Sequence, residues 1–198
     1  MKTWINTRFG TWRGLVRLVL AHTEQWSGRL HAFRLRRPED VERVVYVCLG
    51  NICRSAYGEQ VAREIGLPCA SLGLSTSTGS ASPAEAVEAA RRLGCDMAQH
   101  RALDWKDFQV RPGDLFLVME VRQAHELRRR LGNRDDVQVC LLGAFCSPPA
   151  PHLHDPFTLS PAYFDTCFAR VRQATVRLGQ VLAAASRRQP AGGEPRSS

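Results

Sequence analysis

A chain of 198 residues with 44% hydrophobic and 23% charged side chains suits one globular domain with room for appendages, and this composition excludes wholesale disorder. No apolar run of 18 residues occurs. The best, residues 15–21, is interrupted by Arg17, so neither a membrane span nor a signal-peptide core is predicted.

Seven cysteines without a CxxC pair predict reduced thiols in a cytoplasm, where any special cysteine is chemical. The net charge of +8 is unevenly placed. Residues 1–40 carry eight Lys or Arg against Glu24, Glu39 and Asp40, and residues 187–198 carry Arg187, Arg188 and Arg196 against Glu194. The stretch between is close to neutral, so a nucleic-acid partner is not expected for the folded body. Affinity for polyanions or membranes belongs to the ends.

In chain order, the first feature is a basic extension over 1–40. Trp12, Val16, Val19, Trp26, Leu30 and Phe33 recur at near-helical spacing, with Arg13, Arg17 and Arg29 elsewhere on the wheel. A stripe this apolar does not stay in water. The favoured reading is a helical arm packed on the body or on a second subunit. The other is a helix lying on a membrane surface, which would make the protein peripheral to the membrane.

The body, 41–186, alternates strands and helices. Residues 44–49 form a β-branched run ending at Gly50, followed by a helix over 55–66 capped by Ser55, then a strand over 69–75. Ser82-Pro83-Ala84-Glu85 reads as a capping box leading an Ala-rich helix to Gly94. A third strand over 114–120, a charged helix over 121–131 and a fourth strand over 137–142 follow. Ser160-Pro161 then opens a long helix to about residue 186. This alternation predicts an α/β fold, a parallel sheet with helices on both faces. The tail, 187–198, is rich in Pro, Gly and Ser and is expected to be disordered.

Ligands of such sheets sit beyond the carboxyl ends of the strands. The first predicted strand runs out through Cys48-Leu49-Gly50-Asn51-Ile52-Cys53-Arg54-Ser55 directly into a helix. Cysteine followed six positions later by arginine is a weak pattern, since in a chain this rich in both about one match arises by chance. Cys95 to Arg101 is indeed a second match, but it follows a helix, contains an acid and lacks glycine. The first match has Gly50 and Asn51, which tolerate the positive backbone angles of an amide nest. It has a helix N-terminus at Ser55 and an arginine fork able to hold two phosphate oxygens. In that field Cys48 is expected to act as a thiolate, with Ser55 donating to the sulfur.

VCLGNICRS resembles the signature of the low-molecular-weight protein tyrosine phosphatases, and the likeness extends over roughly 43–185. Further matches come in family order: Ser71-Leu72-Gly73, Gly94 with Asp96 and His100-Arg101-Ala102, Met119-Glu120, and His154-Asp155-Pro156-Phe157. The resemblance implies a four-stranded parallel sheet of flavodoxin-like type and a protein tyrosine phosphatase without metal or cofactor. It implies Cys48 as nucleophile forming a phosphocysteine, Arg54 as phosphate clamp and Asp155 as general acid. Leu49, Gly50, Asn51, Ile52, Cys53, Ser55 and Phe157 would line the substrate site, with His100 and Ser71 in support. The implied partner is a phosphotyrosine-containing protein, by analogy a bacterial tyrosine kinase, and the product is phosphate. Four positions depart from the family pattern: Ala56 for the proline after Arg-Ser, Glu120 for aspartate, Leu103 for arginine, and Phe157-Thr158 for paired aromatics. Ile52 stands where the phosphoarginine-directed branch carries threonine, which favours tyrosine.

Other readings remain open. An arsenate reductase on the same scaffold needs mobile resolving cysteines; 121–130 holds none, leaving Cys95, Cys140 and Cys146. A catalytically weak phospho-binding adaptor would have no need of the complete Cys48–Arg54 loop with Asp155. His152, His154 and Asp155 are metal-ligand types but read as solvated loop residues. Cys53 either packs in the core or pairs with Cys48 in a protective disulfide.

Overall fold

The structure of the protein, a computed structural model, describes residues 2–188. Four strands form one parallel sheet: β1 (Arg43–Cys48), β2 (Cys69–Gly73), β3 (Asp114–Val118) and β4 (Gln138–Leu141), in the order β2-β1-β3-β4. Six helices are α1 (Lys2–Phe9), α2 (Trp12–Trp26), α3 (Arg54–Glu64), α4 (Ala84–Arg92), α5 (Val121–Leu131) and α6 (Pro161–Ser186). The strands are nearly continuous apolar runs because both faces of the sheet are covered. Alternation along β1 sends side chains into two cores. Val44, Tyr46 and Cys48 pack with residues of α3, α4 and α6, while Val45 and Val47 pack with residues of α5. The β1–β3 register is fixed at its start by Arg43, whose Nε and Nη2 fork onto buried Asp114 at 2.7 and 2.8 Å. Because the order reverses at β1, the carboxyl ends of β1 and β3 flank the switch point where such sheets bind ligands.

Helix starts show how local chemistry competes. Ser160 caps α6, its Oγ accepting from the Tyr163 amide at 3.3 Å, with Pro161 in the first turn as predicted. The 82–85 capping box does not form. Pro83 itself occupies the cap position, which leaves Ser82 one residue too far out, its buried Oγ without a partner. Helix α3 starts at Arg54 with Cys53 at its cap and no side-chain bond, rather than on Ser55, whose hydroxyl is engaged inside the site. Arg187 and Arg188 continue α6 as a turn, and the rest of the predicted tail, 189–198, lies outside the described residues.

The N-terminal arm, α1, α2 and a 3-10 turn at Arg29–Phe33, lies against the body, but through only the last two residues of the predicted stripe. Leu30 and Phe33 are buried over the α5 side, with Phe33 edge-on to His125 at 5.0 Å between ring centres. Trp12, Val16, Val19 and Trp26 stay exposed. The reason lies on the other side of the helix, where the small residues Gly14 and Ala21 allow a close approach that large side chains forbid. A Cβ on Gly14 would sit 2.9 Å from His154 Cγ, and one on Gly10 would sit 2.6 Å from the Tyr163 ring. The large apolar residues of α2 are therefore turned outward.

Candidate active site

The turn between β1 and α3 holds Cys48 in the core and Asn51 at its pivot. Asn51 has φ of 52°, the only loop residue in the left-handed region; Gly50, expected to share it, does not. That conformation costs a non-glycine residue roughly 1–2 kcal/mol, and here the side chain offsets it. Asn51 Nδ2 donates to Ser55 Oγ at 2.9 Å and to Ser71 Oγ at 2.8 Å, while Oδ1 accepts from the Leu103 amide at 2.8 Å. His100 Nε2 meets the Asn51 carbonyl at 2.7 Å. A carbonyl only accepts, so the ring carries its hydrogen on Nε2; burial lowers the pKa of His100 and keeps it neutral near pH 7.

These bonds have a direction. Ser55 Oγ, accepting from Asn51, lies 2.9 Å from Cys48 Sγ, and the Asn51 amide donates to the same sulfur at 3.2 Å. Ser71, accepting from Asn51 in the same way, donates to Glu59. The network thus ends on a carboxylate, Glu59, and on the Cys48 sulfur. The amides of Gly50, Ile52 and Cys53 have no partner among the described residues. Cys53 is buried and its thiol is pushed up, first by burial and then by Cys48.

Arg54 is almost fully buried, with its guanidinium clasped from two sides. Nη1 donates to Glu120 Oε1 and to the Leu153 carbonyl, both at 2.8 Å, and Nη2 meets Asp155 Oδ2 at 2.7 Å. Its Nε is a buried donor without a partner. Burial alone would lower the pKa of Arg54, but Asp155, Cys48 and Glu120 outweigh it and hold the cation. Glu120 is as buried as Arg54; burial pushes its carboxyl up, while Arg54 foremost, with His152 and Arg122, brings it down to about 2. Asp155 is one-third exposed, and its Oδ1 accepts from the Phe157 amide at 3.2 Å. Leu49 and Phe157 are both about half exposed, and Ile52 is half-buried. The predicted residues of the loop, Ser71, His100 and Asp155 therefore come together.

Two features went unread in the sequence. Glu120 appeared there as part of the Met119-Glu120 match and as a departure from aspartate, yet it is a fully buried anionic clasp on Arg54 beside Asp155. The available signal was its position directly after β3, which the sheet order sets beside the end of β1. His152 and His154 were expected to be solvated and are not: His152 is buried and His154 half-buried. His154 Nε2 meets Thr11 Oγ1 at 3.1 Å, so this histidine is where the arm fastens. Burial pushes His152 down to about 4 and lowers His154 as well. Among the described residues no group of three His, Cys, Asp or Glu side chains is placed to hold a metal.

The probable low molecular weight protein-tyrosine-phosphatase EpsP of Ralstonia nicotianae is 33% identical over 92 residues, covering 46% of this chain and 63% of that protein. The chain thus matches less than two thirds of the length of this curated relative. The crystal structure of the Erwinia amylovora tyrosine phosphatase AmsI superposes with a TM-score of 0.59 at 26% identity, covering 71% of this chain and 93% of that one. The YwlE arginine phosphatase of Geobacillus stearothermophilus shares the fold, with a TM-score of 0.64 at 20% identity over 77% of this chain and 99% of that one. The family model described as low molecular weight phosphotyrosine protein phosphatase matches residues 43–188, and the chain belongs to that family.

Proposed function

We propose that the protein hydrolyses phosphotyrosine on proteins through a phosphocysteine intermediate. The observation that carries this reading is one loop that holds a sulfur hydrogen-bonded to Ser55 and the Asn51 amide beside a buried arginine with an unused donor. The loop amides and the Arg54 fork take the phosphoryl oxygens. Cys48 Sγ attacks phosphorus, forming the S–P bond as the P–O bond to the aryl group breaks, and Asp155 delivers a proton to the departing oxygen. Ser55 keeps its hydrogen bond on the sulfur throughout. Asp155 then takes a proton from water, whose oxygen attacks phosphorus and releases phosphate and the thiolate. In the structure Asp155 holds Arg54 Nη2; an arriving dianion displaces that carboxylate and leaves it free to serve the leaving group. Leu49, Ile52 and Phe157 flank the ring.

Buried thiols count against arsenate reduction. Cys95 and Cys140 are pushed up to about 12 and Cys146 to about 11, in each case chiefly by burial, so none is a ready resolving nucleophile. Seven free cysteines suit a reducing compartment such as the cytoplasm. The test is parallel turnover of a phosphotyrosine peptide, a phosphoarginine peptide, and arsenate with a thiol reductant. Hydrolysis of phosphotyrosine at least tenfold faster than phosphoarginine, without arsenate reduction, is expected. Preference for phosphoarginine or arsenate overturns the substrate reading, and binding without turnover overturns catalysis.

A further inference from the structure

Helix α2 carries an apolar stripe that faces away from the protein. Trp12 is 64%, Val19 53%, Leu20 54% and Trp26 84% exposed, with Val16 beside them and Trp4 of α1 at 57%. The opposite side of the same helix is committed to the body through Gly14 and Ala21 and through the Thr11–His154 contact. The stripe is therefore held outward in fixed form. Three exposed tryptophans on one short arm are not an incidental scatter of surface apolar residues.

Charge identifies what covers it. Exposed Arg8 and Arg13 lie on the arm with Arg17, and residues 1–40 carry eight Lys or Arg against three acids, while the body is close to neutral. The one acid of α2, Glu24, is half-buried. Tryptophan, with an apolar body and a polar N–H, is the side chain suited to the boundary between headgroups and acyl chains. At about 22 Å, α2 is too short to span a bilayer, and no described helix is long and apolar enough to do so. We propose that the arm docks the protein on an anionic lipid surface, with α2 in the interfacial plane, the stripe inserted and the arginines on the headgroups. A second copy fits less well. Isologous pairing would set two basic arms against each other, and six side chains fall short of the roughly 20–30 residues a side of a stable dimer.

The experiment uses the full chain with phosphatidylcholine vesicles and with vesicles of equimolar phosphatidylcholine and phosphatidylglycerol. Co-sedimentation and a blue shift of tryptophan emission are expected with the anionic vesicles only, weakening steeply with added salt. Trp12→Ser/Val19→Ser/Trp26→Ser should lower binding by about tenfold or more with an unchanged melting temperature, because these side chains are mostly exposed to solvent. Arg13→Glu should weaken anionic-vesicle binding alone. Wild type that fails to sediment, or a triple variant that sediments like wild type, overturns the proposal. So does a dimer seen by analytical ultracentrifugation that the triple variant abolishes while vesicle binding is absent.

Discussion

Replacing Glu120 tests how the phosphate-binding arginine is held. Arg54 and Glu120 are both about 1% exposed, and their oxygen–nitrogen contact is 2.8 Å. Removing one partner of a buried ion pair typically costs about 3–5 kcal/mol, because the other charge is left without compensation. Glu120→Ala leaves Arg54 with the Leu153 carbonyl and with Asp155, at 2.7 Å, so the loss belongs at the lower end, about 3 kcal/mol. For a domain of this size that lowers the melting temperature by about 6–12 °C. Glu120→Gln keeps the shape and an acceptor oxygen and should fall between the two. Activity should change in a specific way. Without Glu120 the only carboxylate on the guanidinium is Asp155, so phosphate must displace a stronger contact, and KM for p-nitrophenyl phosphate should rise by about tenfold (about 1.4 kcal/mol) with kcat falling less. The folded carboxyl sits at about 2 against 4.5 in the unfolded chain. Its stabilisation is therefore complete above pH 4.5 and disappears as pH falls toward 2, where wild type and Glu120→Gln should converge. Calorimetry across pH and steady-state kinetics read both effects. A melting temperature within 2 °C (about 0.5–1 kcal/mol) of wild type, together with an unchanged KM, would refute the clasp.

Asp155→Asn should slow release of phenol from phosphotyrosine by roughly 10²–10⁴-fold, the usual worth of general acid catalysis. The loss with p-nitrophenyl phosphate should be much smaller, because its leaving group needs little protonation; equal losses in single-turnover bursts would remove Asp155 from that role. His152, at about 4 when folded against 6.5 unfolded, makes the protein lose up to about 3 kcal/mol as pH falls from 6.5 to 4 and nothing above that window. His152→Gln should flatten this part of the stability profile, and a profile identical to wild type would show that burial there is not what drives it. Gly14→Val would press a side chain onto His154 and the Phe9 carbonyl, and should cost about 1–3 kcal/mol while loosening the Asp155 loop. Unchanged melting and unchanged kinetics would show that the arm can move aside freely.

What the sequence makes legible follows from how local the deciding interaction is. The four strands and α6 were readable because a continuous apolar run and a Ser-Pro helix start each carry their signal within a few residues. The Cys48–Ser55 loop was readable for the same reason. Ser55 as a helix cap failed because its hydroxyl bonds a sulfur and an asparagine that the fold brings to it. The face of α2 was misassigned because periodicity shows that a helix has two sides, not which one the body accepts; Gly14 and Ala21 decide that by steric fit to His154 and its surroundings. The burial of His152 and the clasp of Glu120 on Arg54 depend on contacts 66 residues or more apart in the chain for Glu120, and no short motif encodes them. Asn51 lies between these cases: its tolerance of positive φ is local, whereas the bonds that hold it there come from β2 and from the segment around residues 100–103.

The central claim is that Cys48 carries the phosphoryl group between the two displacements. Rapid-quench mass spectrometry during turnover of a phosphotyrosine peptide measures it directly. The account predicts one phosphoryl group on the Cys48 peptide, formed at the rate of phenol release. It also predicts that Cys48→Ser retains phosphate binding while losing turnover. Hydrolysis by Cys48→Ser at the wild-type rate, or a phosphoryl group trapped on any other residue, would contradict it.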